Sequence, residues 1–111
     1  MSAQEVRSLQ VRPWADRDRV IVAVIGELDI ASVSVLGQAL DDIRGAGCSD
    51  VVLDLRGLSF IDACGLNLLL RADRAARRAG KALATVDDSP AVARVLELAE
   101  LQNHFNRAQV R

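Results

Sequence analysis

Three short acidic segments each follow an aliphatic run. They are Glu27-Leu28-Asp29 after Val20 to Ile25, Ser59-Phe60-Ile61-Asp62 after Val51 to Leu55, and Asp87-Asp88 after Ala82 to Val86. Carboxylates gathered at one end of a sheet could hold a divalent cation, with one aspartate accepting a phosphoryl group. Such a site also needs a positive group to neutralise the phosphate. Lys81 is the only lysine, and it begins a strand, so it stands at the wrong end. Aspartate and glutamate are equally at home as helix caps and turn formers. The acids alone do not make an active site, and no metal is expected.

Cys64 sits near the amino end of a helical segment, where the helix dipole favours a thiolate. A phosphate-binding Cys-x5-Arg loop would need arginine where Leu70 stands, and Arg71 comes one place late. A Cys-His pair would have to recruit His104, the only histidine, from the tail. Packing beneath the loop is the simpler role for Cys64, with oxidation as its reactive alternative. An internal disulfide to Cys48 is disfavoured by reach, because a strand about 17–20 Å long separates the two positions, and an intermolecular bridge stays open. Arg71, Arg74 and Arg78 read as the solvated back of an amphipathic helix. No G-x-G-x-x-G follows a strand, so a dinucleotide site is not supported and no cofactor is expected.

The composition limits the function classes further. The chain has 111 residues, half of them hydrophobic and 26% charged, which suits a single globular domain over 1–111. Its formal net charge is −1, against a nucleic-acid binder driven by charge. Aromatic residues are only 3%, so the core must come from Val, Leu, Ile and Ala. The first residues lack the apolar stretch of a signal peptide, and no run approaches a membrane span. With two cysteines and no export signal, a cytoplasmic location is the expectation.

Periodicity supplies the elements that position these residues. Leu9 and Val11 alternate with polar neighbours in a short strand that Pro13 confines to an edge or ends. Val20 to Ile25 is apolar throughout, as in a strand covered on both faces, and Gly26 and Glu27 close it. A short turn makes these two an antiparallel hairpin. Ser32 or Ser34 caps a helix with Val35, Leu36, Ala39, Leu40 and Ile43 on one face, stopped by Gly45 and Gly47. A strand over Val51 to Leu55 leads to a helix from Ala63 to Ala79, ended by Gly80. A strand over Ala82 to Val86 and a helix opened by Ser89-Pro90 follow, with Val92, Val95, Leu96 and Ala99 inward. A last short strand is expected at His104-Phe105-Asn106. The order predicts an α/β fold with a mixed central sheet of four or five strands, the first antiparallel, and three or four helices.

Two segments carry a family resemblance. Gly26-Glu27-Leu28-Asp29, and the run from Asp54-Leu55 through Phe60-Ile61-Asp62-Ala63-Cys64-Gly65-Leu66, resemble the G-x-L-D turn and the D-L-x-x-(L/V)-x-F-(I/M)-D-S-(S/T/A)-G-L segment of the STAS family. The likeness is strongest to its stand-alone anti-sigma factor antagonists, and element order extends it over nearly the whole chain. It implies a STAS-type fold and a binding protein, not an enzyme. The implied partner is an anti-sigma factor, a serine kinase of the GHKL type, whose capture releases a sigma factor for transcription. Partner contact is then implied for Glu27, Asp29, Ser59, Asp62, Ala63, Cys64, Gly65 and Asn67. Asp62 is expected to cap the helix, and Gly65 to admit a partner backbone. In the family the kinase phosphorylates the serine after the loop aspartate, but here Ala63 holds that place and has no hydroxyl. Switching would then rest on Cys64 oxidation, on Ser59 phosphorylation or on partner availability. The resemblance also admits a STAS subunit of a lipid or anion transporter, the one route to a membrane, or a stress-signalling scaffold. A homodimer stays open.

Overall fold

The computed structural model describes residues 4–6, 8–47, 50–87 and 89–110. Strands β1 (Gln4–Val6), β2 (Leu9–Asp16) and β3 (Arg19–Leu28) precede helix α1 (Val33–Gly45). Strand β4 (Asp50–Ile61), helix α2 (Ala63–Arg78), strand β5 (Leu83–Val86), helix α3 (Pro90–Leu98) and strand β6 (Asn106–Arg107) complete the order. The six strands stand side by side in chain order. The pairs β1–β2 and β2–β3 are antiparallel, and β3 to β6 are parallel. The expected mixed α/β architecture is present, with one strand more than anticipated and three helices among the described residues. The added strand is β1, too short to leave a periodic signal.

Strand β2 runs straight through Pro13, which pairs with Val22 of β3. Pairing with β1 stops at Val11, so the proline lies where β2 is the sheet's edge and its missing N–H costs little.

Because the parallel strands advance steadily in one direction, right-handed crossovers place every helix on the same face. There Val20, Val22 and Val24 of β3 and Leu53 and Leu55 of β4 pack with Leu36 and Ile43 of α1, Leu66 and Leu69 of α2, and Val92 and Leu96 of α3. The opposite face buries only Ile21, Val52 and Val86, under Ala108 and Val110 of the tail. The expectation of a strand covered on both faces is therefore corrected. Ile25 at the far end of β3, and Trp14 beside Ile21, stay exposed.

One further correction and one addition concern helix faces. Ala99 is exposed, because α3 ends at Leu98 and Ala99 is its C-cap. Asp73, unremarked in the sequence, lies inward on α2 at 3% exposure. Its carboxylate meets Arg77 at 3.1 Å and His104 Nε2 at 3.5 Å, which fastens the segment before β6 to the helix. The last strand consequently begins at Asn106, and His104 lies in the preceding turn, its ring edge-on to Phe105.

On the open face, Asp54 accepts two hydrogen bonds from the Arg56 guanidinium at 2.9 and 2.8 Å. Those bonds hold the Asp54 carboxyl below its ordinary value of 3.8, against the opposing pull of burial. A lowered folded-state value means stability that is fully present above the unfolded pKa and lost as pH falls from there through the lower folded-state pKa. Asp54→Asn is expected to flatten the loss of stability between about pH 5 and pH 3 relative to the parent chain, as read by urea denaturation at stepped pH. Parallel curves for the two proteins would show that the pair contributes nothing.

Candidate functional site

The site grows from the carboxyl ends of β3 and β4, which run farther than the aliphatic pattern indicates. Residues 27–28 and 59–61, read from sequence as loops, are strand. Opposite Ala23 and Ile25 stand Asp54 and Gly57, and opposite Gly26 and Glu27 stand Leu58 and Phe60. At each step β4 carries one residue more than β3, so it is bulged twice and bends toward its end. Ser59 is the second extra residue, and its hydroxyl donates to the Gly26 carbonyl at 3.1 Å. Bulges depend on the partner strand, so single-strand periodicity missed them.

After Leu28 the chain makes a tight turn built around Asp29. Asp29 Oδ1 accepts the N–H groups of Ala31 and Ser32 at 3.0 and 3.1 Å. The Ser32 hydroxyl donates to the Glu27 carbonyl at 2.7 Å and accepts the Asp29 N–H at 3.0 Å. Ser32 therefore occupies the N-cap position of α1 while its side chain serves the turn and makes no cap bond to the helix. The aspartate of the G-x-L-D segment is a turn-former, half-buried and already bonded.

Asp62 joins the two strand ends. As N-cap of α2 it accepts the Gly65 N–H on Oδ1 at 3.0 Å, as its place before the helix predicts. Its Oδ2 accepts the Ile30 N–H at 3.3 Å, and its own N–H reaches the Leu28 carbonyl at 3.2 Å. Both oxygens thus hold the Asp29 turn against the start of α2. Ala63 is the first residue of α2 and exposed, Cys64 is half-buried, and Asn67 is exposed one turn on.

Gly65 differs from expectation. It is buried, and a Cβ there would stand 2.7 Å from the Leu28 carbonyl oxygen. The backbone that needs its space is this chain's own, where a partner's approach was expected. Cys48 and Asp88 lie outside the described residues. Asp87 ion-pairs with Arg107 at 3.6 Å, away from the other two acids' turn. His104 meets Asp73, nine residues beyond Cys64 and so about 13 Å along α2, which separates it from the thiol. No trio of His, Cys, Asp or Glu among the described residues is placed to hold a metal ion.

Sequence reasoning missed two residues here. Ile30 is 76% exposed at the tip of the Asp29 turn, and Phe60 is 48% exposed beside Glu27 in register. The available signal was an isoleucine between a turn-forming aspartate and a capping serine, outside the helical stripe. The surface is therefore two exposed apolar side chains around an acidic, internally braced strand-end junction. Such a surface is suited to binding.

This mixed sheet with three helices on one face, its strand ends joined by turn, cap and bulge, is that of a small α/β domain. The model of the family described as Mlab, STAS domain, matches residues 11–107, and the chain belongs to the STAS domain family. It is 30% identical over 95 residues to the anti-sigma F factor antagonist of Paenibacillus polymyxa, covering 85% of this chain and 81% of that protein. It is 31% identical over 87 residues to the anti-sigma-B factor antagonist of Staphylococcus aureus, covering 77% and 81%. Its fold is shared with the crystal structure of an anti-sigma factor antagonist from Mycobacterium paratuberculosis, at a TM-score of 0.76, 23% identity and coverage of 93% and 87%. SpoIIAA, a Bacillus cell fate determinant whose phosphorylated form has been solved, superposes with a TM-score of 0.68 at 21% identity, covering 92% of each chain. No helix among the described residues is long and apolar enough to cross a membrane.

Proposed function

We propose that this chain is an anti-sigma factor antagonist that captures an anti-sigma factor of the serine-kinase type through the junction around Asp62. The observation that carries the reading is two exposed apolar side chains at the acidic strand ends, Ile30 on the bonded Asp29 turn and Phe60 on β4 beside Glu27. The names of the Paenibacillus and Staphylococcus relatives support it. Glu27, Asn67 and the exposed face of Ala63 complete the contact surface, with Ser59 and Cys64 at its margin. Asp29 and Asp62 act by fixing its shape. Ala63 stands where the family carries its phosphoacceptor, so the chain stays binding-competent in the presence of kinase and ATP.

The test compares the parent chain with Ala63→Ser, each incubated with candidate GHKL-type kinases and ATP, by mass spectrometry. The parent is expected to gain no phosphate between Arg56 and Arg71, and Ala63→Ser to gain one. A phosphate on the parent at Ser59 would overturn the constant-competence reading. Failure of Ala63→Ser with every kinase that the chain binds would overturn the kinase-type partner. Affinity capture from the native cell extract separates the rival class, since recovery of a transporter permease in place of an anti-sigma factor would assign the chain to a transport system.

A further inference from the structure

On the helix face α1 and α2 lie beside one another, with Gly37 of α1 opposite Leu68 of α2. A Cβ on Gly37 would lie 3.7 Å from Leu68, an ordinary contact. Beyond that contact the helices leave a cavity of about 340 Å³ between them, within the size range of small-molecule sites. Its α2 wall runs from Leu68 to Ala79, eleven residues or about 16 Å, so the space is elongated. Leu40 and Ile43 form the other wall and Leu83 lies on the floor. Alanines at 72, 75 and 76 keep the α2 side shallow where larger residues would close it. No aromatic ring lines the space, so nothing there would stack a base or other flat group.

The polar groups at its margin are of one sign in balance. Asp41 pairs with Arg44, while Arg71 and Lys81 have no ion-pair partner among the described residues. Lys81 is the chain's only lysine. An elongated aliphatic cavity with an unpaired cation toward each end is complementary to an aliphatic chain whose anionic head meets one of them. We propose that the α1–α2 cavity binds a free single-tailed amphipathic anion, a fatty carboxylate, with its head at Arg71 and its tail running from there along the alanines of α2.

The experiment is calorimetric titration of the full chain with dodecanoate below its micellar concentration, alongside butyrate and 1-dodecanol. Saturable one-to-one binding of dodecanoate is expected, with butyrate silent for want of a tail and 1-dodecanol weaker for want of charge. Ala75→Leu, which fills the cavity, and Arg71→Glu, which reverses a surface charge, are each expected to weaken binding by about tenfold or more, the equivalent of about 1.4 kcal/mol. Arg71 is exposed, so its variant keeps the fold even if Ala75→Leu does not, and circular dichroism checks both. Absence of saturable binding would overturn the proposal. So would dodecanoate affinity unchanged by Arg71→Glu, which would mark unspecific adsorption. Binding only to phosphatidylglycerol vesicles, with no uptake of free dodecanoate, would reassign the cations to a membrane surface.

Discussion

A chain with Gly26→Ala is expected to lose about 3–5 kcal/mol of folding stability, a large share of what a domain this size possesses. Two costs combine at this residue. Its φ of +111° is a conformation that side-chain-bearing residues adopt only under strain. In addition, a Cβ would stand 2.2 Å from the Ser8 carbonyl oxygen, which is backbone and cannot swing away. That same carbonyl accepts the Glu27 N–H at 2.7 Å, so relieving the clash breaks a bond at the end of the β2–β3 ladder. Gly47→Ala serves as the control, because Gly47 has a φ of +124° with nothing within 4 Å of its would-be Cβ. It incurs only the conformational cost, and the gap between the two variants isolates the clash. Urea denaturation measures both. A Gly26→Ala midpoint matching that of Gly47→Ala would show that β2 yields freely and that the tight approach carries no energy.

The same region shows where sequence reading stops. The caps of α2 and α3 were legible, because Asp62 before a helical stripe and Ser89-Pro90 before another are local chemistry. The ladder ends were not. Whether Ser59 is loop or bulge depends on how many residues of β3 face it, a pairwise property that no single strand encodes. Asp73 shows the limit in another form, since its partner His104 lies 31 positions away and its neighbours Ala72 and Arg74 give no hint of burial. The unbroken run Val20 to Ile25 suggested cover on both faces, yet one face is covered only centrally, by Ala108 and Val110. Two residues of a polar tail carry too weak a pattern to be read as a lid on the sheet. At the site itself, bonded groups such as Asp29 and Asp62 could be picked out by type and spacing. The exposed apolar residues could not, because exposure is decided by the tertiary fold.

Replacing Ile30 with aspartate is expected to weaken capture of the anti-sigma factor by at least about thirtyfold while leaving the fold intact. At 76% exposure the side chain contributes little to the core, and the Ile30 N–H that bonds Asp62 is unaffected by the substitution. Stability should therefore hold within about 0.5 kcal/mol, as for surface changes in general. Binding is another matter. Burying an isoleucine in a partner's pocket stabilises a complex by about 1.5–3 kcal/mol. Aspartate forfeits that and adds a charge that must be desolvated beside Asp62 and Glu27, in surroundings already negative. Leu98→Asp provides the matched control. Leu98 is 75% exposed but lies at the far end of α3, about 12 Å along the helix from Pro90 and on an element that supplies none of the proposed contact residues, so its loss should leave affinity unchanged. Titration of each purified variant against the captured partner separates the cases. Equal affinities for the parent and Ile30→Asp would mean that the apolar tip of the Asp29 turn is not buried by the partner. Equal losses in both variants would mean that binding responds to net charge rather than to this surface. Only loss confined to Ile30 fits a contact in which the braced turn exists to hold one apolar side chain out of the protein that carries it.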